Sequence, residues 1–62
     1  MTEESREGPT PAGGVRSTLY YQDDHGRPAE KAAATKALGV EYDAEGNAIR
    51  RTYFDRQPER PA

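Results

Sequence analysis

Cysteine and tryptophan are absent from these 62 residues, histidine occurs once, and methionine occurs only at the start. Without cysteine the chain has neither a disulfide nor a thiolate metal site. A single histidine, His25, does not build a transition-metal cage, so neither metal nor cofactor is expected. Long apolar runs are missing too. No stretch approaches the roughly 18 residues needed to span a bilayer as a helix. The N-terminus, Met1 to Glu7, lacks the basic start and apolar segment of a secretory signal, so a soluble, cytoplasmic protein is expected. Aliphatic side chains are scarcest of all. Only Val15, Leu19, Leu38, Val40, Ile49 and Phe54 represent Leu, Ile, Val and Phe. Burial of such surface is what offsets the entropy of ordering a chain. Four tyrosines (Tyr20, Tyr21, Tyr42 and Tyr53) and nine alanines partly compensate.

Charge is nearly balanced at −2. The acid excess sits in residues 1–14, and residues 15–56 carry seven basic and seven acidic side chains. Dedicated nucleic-acid binders usually show a basic excess, which lowers that class without removing it. Abundant Ala, Arg, Gly and Pro against two Lys suggest a GC-rich bacterial genome.

Residues 1–14 lack periodicity and end in Gly8-Pro9-Thr10-Pro11-Ala12-Gly13-Gly14, which predicts a disordered tail. Residues 57–62 read the same way, leaving a module over 15–56. Val15 to Gln22 is rich in β-branched and aromatic residues and has strand length. Val15, Leu19 and Tyr21 fall on one of its faces, and Arg16, Thr18 and Tyr20 on the other. Asp23-Asp24-His25-Gly26 closes it as a turn. Ala29 to Leu38 has high helix propensity, with Pro28 suited to its first turn and Gly39 to its C-terminus. Tyr42-Asp43-Ala44-Glu45-Gly46-Asn47 predicts a hairpin with an Ala44-Glu45-Gly46 loop, Asp43 capping the turn and Gly46 in the left-handed region. That pairing sets Tyr42 opposite Ala48 and Val40 opposite Arg50, and a bulge would bring Ile49 and Phe54 to one side. The expected fold class is α+β: a small three-stranded sheet with one helix, β-α-β-β, between flexible N- and C-terminal tails.

Tyr21-Gln22-Asp23-Asp24-His25-Gly26-Arg27 echoes Tyr42-Asp43-Ala44-Glu45-Gly46-Asn47, the two glycines being twenty residues apart. Together with Glu41 to Arg51 this pattern resembles the tyrosine–aspartate repeats of large bacterial surface and toxin-shell proteins. The resemblance implies β-hairpins stacked into a sheet, and a structural role for an isolated unit.

Chemistry-bearing constellations are few. His25 beside Asp23 and Asp24 has the composition of a metal or acid–base site, but turns collect these residues for backbone reasons. Ser17 has no glycine-rich elbow, and no phosphate-loop motif occurs. No enzyme is expected. Arginines interleaved with tyrosines suit protein contact or unpaired bases. The expected function is a small non-catalytic protein-interaction or regulatory adaptor module, binding a protein partner or self-associating as a homodimer. Tyr20, Tyr21, Arg51 and Tyr53 are its candidate contact residues. The alternative is a small DNA- or RNA-binding regulator with Arg16, Arg50 and Arg51 on phosphates.

Overall fold

A computed structural model of the chain describes residues 1–59. Four strands follow one another as a meander: β1 Glu3–Glu7, β2 Arg16–Gln22, β3 Lys36–Tyr42 and β4 Ala48–Asp55. They form one antiparallel sheet in the order β1-β2-β3-β4, and the described residues contain no helix. The expected β-α-β-β fold is therefore corrected to an all-β sheet. Two of its expectations fail for identifiable reasons.

The first is the helix over Ala29 to Leu38. Ten residues are too few to hold a helix in water without a packed apolar face, and alanines supply little such face. In the extended form Lys36–Tyr42 gains ladders on both sides, with β2 and with β4. Only one turn survives from the helical pattern, where the Ala33 and Ala34 N–H groups donate to the Glu30 carbonyl at 3.0 and 2.9 Å. The alanines instead allow close approach. Ala34 is fully buried and packs with Tyr21 and Ala37 in the principal core cluster, with Leu19 and Ala29 around it.

The second is the N-terminal tail. Glu3–Glu7 pairs with β2 in the register Glu3↔Tyr20 to Glu7↔Arg16. A polar edge strand has no apolar signature, because main-chain bonds and ion pairs hold it. Here the Tyr21 N–H donates to the Thr2 carbonyl at 2.8 Å, and the Glu4 carboxylate meets the Lys31 ammonium at 2.9 Å. Residues 60–62 of the expected C-terminal tail lie outside the described residues. Within the described part, the Glu59 N–H donates to the Ala32 carbonyl at 2.9 Å.

The hairpin joining β3 to β4 forms with the loop Ala44-Glu45-Gly46. Tyr42 pairs with Ala48, and a bulge at that point moves Val40 opposite Arg51 in place of Arg50. The Gly46 N–H donates to the Asp43 carbonyl, Asp43 Oδ1 accepts from Asn47 N–H at 2.8 Å, and Gly46 has φ 86°. Two other turns repeat this construction. Thr10 to Gly14 uses the Thr10 hydroxyl as acceptor from Gly14 N–H at 2.8 Å, with Gly13 at φ 88°. Asp23 to Arg27 uses Asp23 Oδ1 as acceptor from Arg27 N–H at 3.0 Å, with Gly26 at φ 78°. The shared pattern is an oxygen-bearing side chain, two free positions, and a glycine that takes positive φ without a Cβ clash.

Cross-strand partners share a face of the sheet, and successive residues alternate between faces. One face carries Glu4, Leu19, Tyr21, Ala37, Gly39 and Phe54. The loop between β2 and β3 roofs the Tyr21 end of it. The other, open face carries Thr18, Tyr20, Leu38, Val40, Tyr42, Arg51 and Tyr53. On it Thr18 and Val40 are buried, outside the loop-covered core cluster.

Candidate functional site

The tyrosines explain that burial. Tyr20 and Tyr42 stand diagonally on either side of the Thr18–Val40 pair, and their hydroxyls meet at 2.9 Å. The Ser5 and Thr18 hydroxyls meet at 2.9 Å beside them. Hydrogen bonding to Tyr42 and then burial raise the Tyr20 hydroxyl above its ordinary pKa. Arg16 stacks on the Tyr42 ring, 4.7 Å from its centre, and its Nε is buried without a partner among the described residues.

The four candidate contact residues do not form one cluster. Tyr21 is 3% exposed and belongs to the core. Its ring lies under Arg56 at 5.0 Å, and its hydroxyl donates to Glu4 at 2.9 Å. Burial, followed by that carboxylate, raises its pKa. Tyr20 is half-buried in the hydroxyl pair. Arg51 and Tyr53 remain together on β4, both exposed, with Tyr53 at 74%. The three candidate phosphate-binding arginines also separate. Arg16 and Arg51 are on the open face, whereas Arg50 is on the opposite one, 3.4 Å from Glu41.

The His25 turn has a complete structural explanation. Asp23 Oδ1 accepts the N–H groups of His25 and Arg27, and these bonds hold its carboxyl below the usual range. Asp24 accepts the Thr35 hydroxyl. Among the described residues no three His, Cys, Asp or Glu side chains converge as metal ligands.

The outer edge of β4 is the exposed feature with most recognition capacity. The Tyr42 carbonyl faces the β2 side, where it accepts the N–H of Val15 just before that strand, and the Arg56 N–H donates to the carbonyl of Thr35 just before β3. These two bonds fix the parity of the antiparallel ladder. Arg50, Thr52 and Phe54 bond β3, so Arg51, Tyr53 and Asp55 direct their N–H and C=O groups away from the sheet. Their side chains share the open face. Phe54, 49% exposed, stands on the other face with its ring against Gly39, where an added Cβ would come within 3.0 Å of it. Asp55 was not among the sequence candidates, and Phe54 entered only as one of the aromatic rings interleaved with the arginines, not as a contact residue. The alternation Arg51-Thr52-Tyr53-Phe54-Asp55 carried the signal, since it combines a strand pattern with large exposed rings.

Searches against protein-family models, curated proteins and solved structures find no match. The likeness to tyrosine–aspartate repeats thus rests on the residue pattern alone.

Proposed function

We propose that this chain is a small non-catalytic interaction module that takes a strand of a partner protein along the free edge of β4. The observation that carries this reading is the eight-residue length of β4, which among the described residues has a strand neighbour on one side only. Such an edge offers a row of main-chain donors and acceptors to an extended segment. Tyr53 and Phe54 supply large apolar contact on the two faces of that edge, and Arg51 supplies charge. Many natural edges are blunted by proline, and β4 contains none. Nucleic-acid binding fits less well. The open face balances Arg16, Lys36 and Arg51 against Glu3, Glu7 and Asp55, and Arg50 is turned away from it.

Amide NMR tests the reading, with three titrations: the chain itself, extended peptides of alternating pattern, and single-stranded oligonucleotides. Shifts at the Arg51, Tyr53 and Asp55 amides with protein or peptide support it. Arg51→Pro, which removes an outward N–H and leaves the β3–β4 bonds intact, abolishes those shifts. Binding of oligonucleotides with a steep salt dependence, or peptide shifts confined to the interior of the open face, overturns it.

A further inference from the structure

The outward positions of the two sheet edges differ in charge order. On β1 the Tyr21 N–H donates to the Thr2 carbonyl, so Glu3, Ser5 and Glu7 face outward. On β4 the outward set is Arg51, Tyr53 and Asp55. Read in opposite directions, the β1 set gives acid, neutral, acid both ways. The β4 set gives base, neutral, acid, and its reverse is its own complement.

We propose that the strand accepted by the β4 edge is β4 of a second copy, paired antiparallel about a two-fold axis through Tyr53. This rests on the reading of β4 as a strand-accepting edge and names its partner. Arg51 of each copy then lies opposite Asp55 of the other, Tyr53 opposite Tyr53, and Thr52 opposite Phe54. Two ion pairs and an aromatic pair line the open face, which continues across both copies as an eight-stranded sheet. Asp55 has a 94% exposed side chain and only a long 3.7 Å contact to Lys36, and Arg51 makes no ion pair among the described residues. Both are available.

The other full-length edge pairings are less favourable. Pairing β1 with β1 sets glutamates opposite glutamates. Pairing β4 with β1 over the same three outward positions matches Arg51 with Glu7 but opposes Asp55 to Glu3. Like charges directly opposite one another destabilise a ladder. Just beyond the β4 overlap, Arg50 falls opposite Arg56. Arg50 is held toward Glu41 and Arg56 over the Tyr21 ring, each within its own copy. The two-fold arrangement closes on itself, so assembly stops at two.

Sedimentation velocity on the full chain, from micromolar to millimolar, tests this together with charge variants. The expected result is a monomer–dimer equilibrium with no larger species. Arg51→Glu and Asp55→Arg each weaken dimerisation about tenfold or more, because each change turns both ion pairs into like-charge contacts. The double exchange Arg51→Asp/Asp55→Arg restores it, since the order remains self-complementary. A millimolar monomer, growth beyond two copies, or a double exchange as weak as the single ones overturns the proposal. If peptides still shift the β4 amides in that case, β4 remains a strand-accepting edge for another partner. If neither occurs, both readings fail.

Discussion

The Arg56 guanidinium stands 5.0 Å over the ring of Tyr21 and donates to the carbonyls of Lys31 and Ala34, the latter at 3.1 Å. Arg56 follows β4, Tyr21 lies near the end of β2, and the two carbonyls belong to the loop that crosses the sheet. One side chain therefore ties the roof to the core. Arg56→Ala should lower unfolding stability by about 1–2 kcal/mol, from a lost cation–π contact and unsatisfied carbonyls. Arg56→Lys should recover only part of this, because an ammonium can bond the carbonyls but lacks the planar guanidinium face that stacks on the Tyr21 ring. Urea unfolding of the two variants checks the order. Equal stability of Arg56→Ala and the parent would remove Arg56 from the core.

The three similar turns make a graded prediction. Asp43 Oδ1 accepts from both Glu45 and Asn47 N–H groups, and Gly46 sits at φ 86°. Gly46→Ala should cost about 1 kcal/mol, from the left-handed conformation alone, since nothing lies within 4 Å of an added Cβ. Gly26→Ala should cost about the same, at φ 78° and with equally open surroundings. Gly14→Ala is expected to be worse than either. Its Cβ would fall 2.6 Å from the Tyr42 carbonyl oxygen and 2.8 Å from the Thr10 hydroxyl, so backbone must move. Thermal unfolding of the three variants should place Gly14→Ala lowest.

These turns also mark where the sequence is legible. The Asp43–Asn47 turn is set by residues within five positions, so local chemistry names its loop and its glycine. The β2 segment is legible for the same reason, through its β-branched and aromatic residues. Ala29 to Leu38 is not, because its choice between helix and strand depends on ladders with β2 and β4, which are distant in sequence. Glu3–Glu7 hides because a polar edge strand carries no hydrophobic pattern. Arg51 and Tyr53 were identifiable from their alternation as residues of one strand face, and both are exposed. Tyr21 shares that composition, yet the loop and Arg56 cover it, and parity alone does not reveal a roof.

Acid should weaken the fold through four carboxylates. The Glu4 carboxyl is held low by hydrogen bonds from Lys31 and then Tyr21, and Asp23 by the N–H groups of Arg27 and His25. Glu41 is held low by the Thr10 hydroxyl and the Ala12 N–H, and Asp43 chiefly by the Asn47 N–H. A depressed folded-state pKa means the stabilisation is complete above the unfolded value, about 4 for carboxylates, and is lost as pH falls through the folded one. Urea midpoints should therefore be level near neutrality and drop on acidification below that range. Asp43→Asn should flatten part of the slope. A midpoint that holds constant into strong acid would contradict the turn and ion-pair assignments.

Alkali should act on the tyrosine pair in the opposite direction. Tyr20 and Tyr42 share a proton contact at 2.9 Å over the buried Thr18 and Val40, and hydrogen bonding to Tyr42 raises the Tyr20 pKa. A raised folded pKa stabilises fully below the unfolded value, about 10 for tyrosine, and that share vanishes as pH rises through the folded one. Tyr20→Phe and Tyr42→Phe should each cost about 1 kcal/mol at neutral pH, and the double variant less than the sum. Each single change strands one hydroxyl, whereas the double change leaves two rings still covering Val40. Additive costs would mean that the hydroxyls do not bond. With Tyr42→Phe the ultraviolet titration of the remaining tyrosines should move toward lower pH, because Tyr20 has lost the main cause of its upward shift.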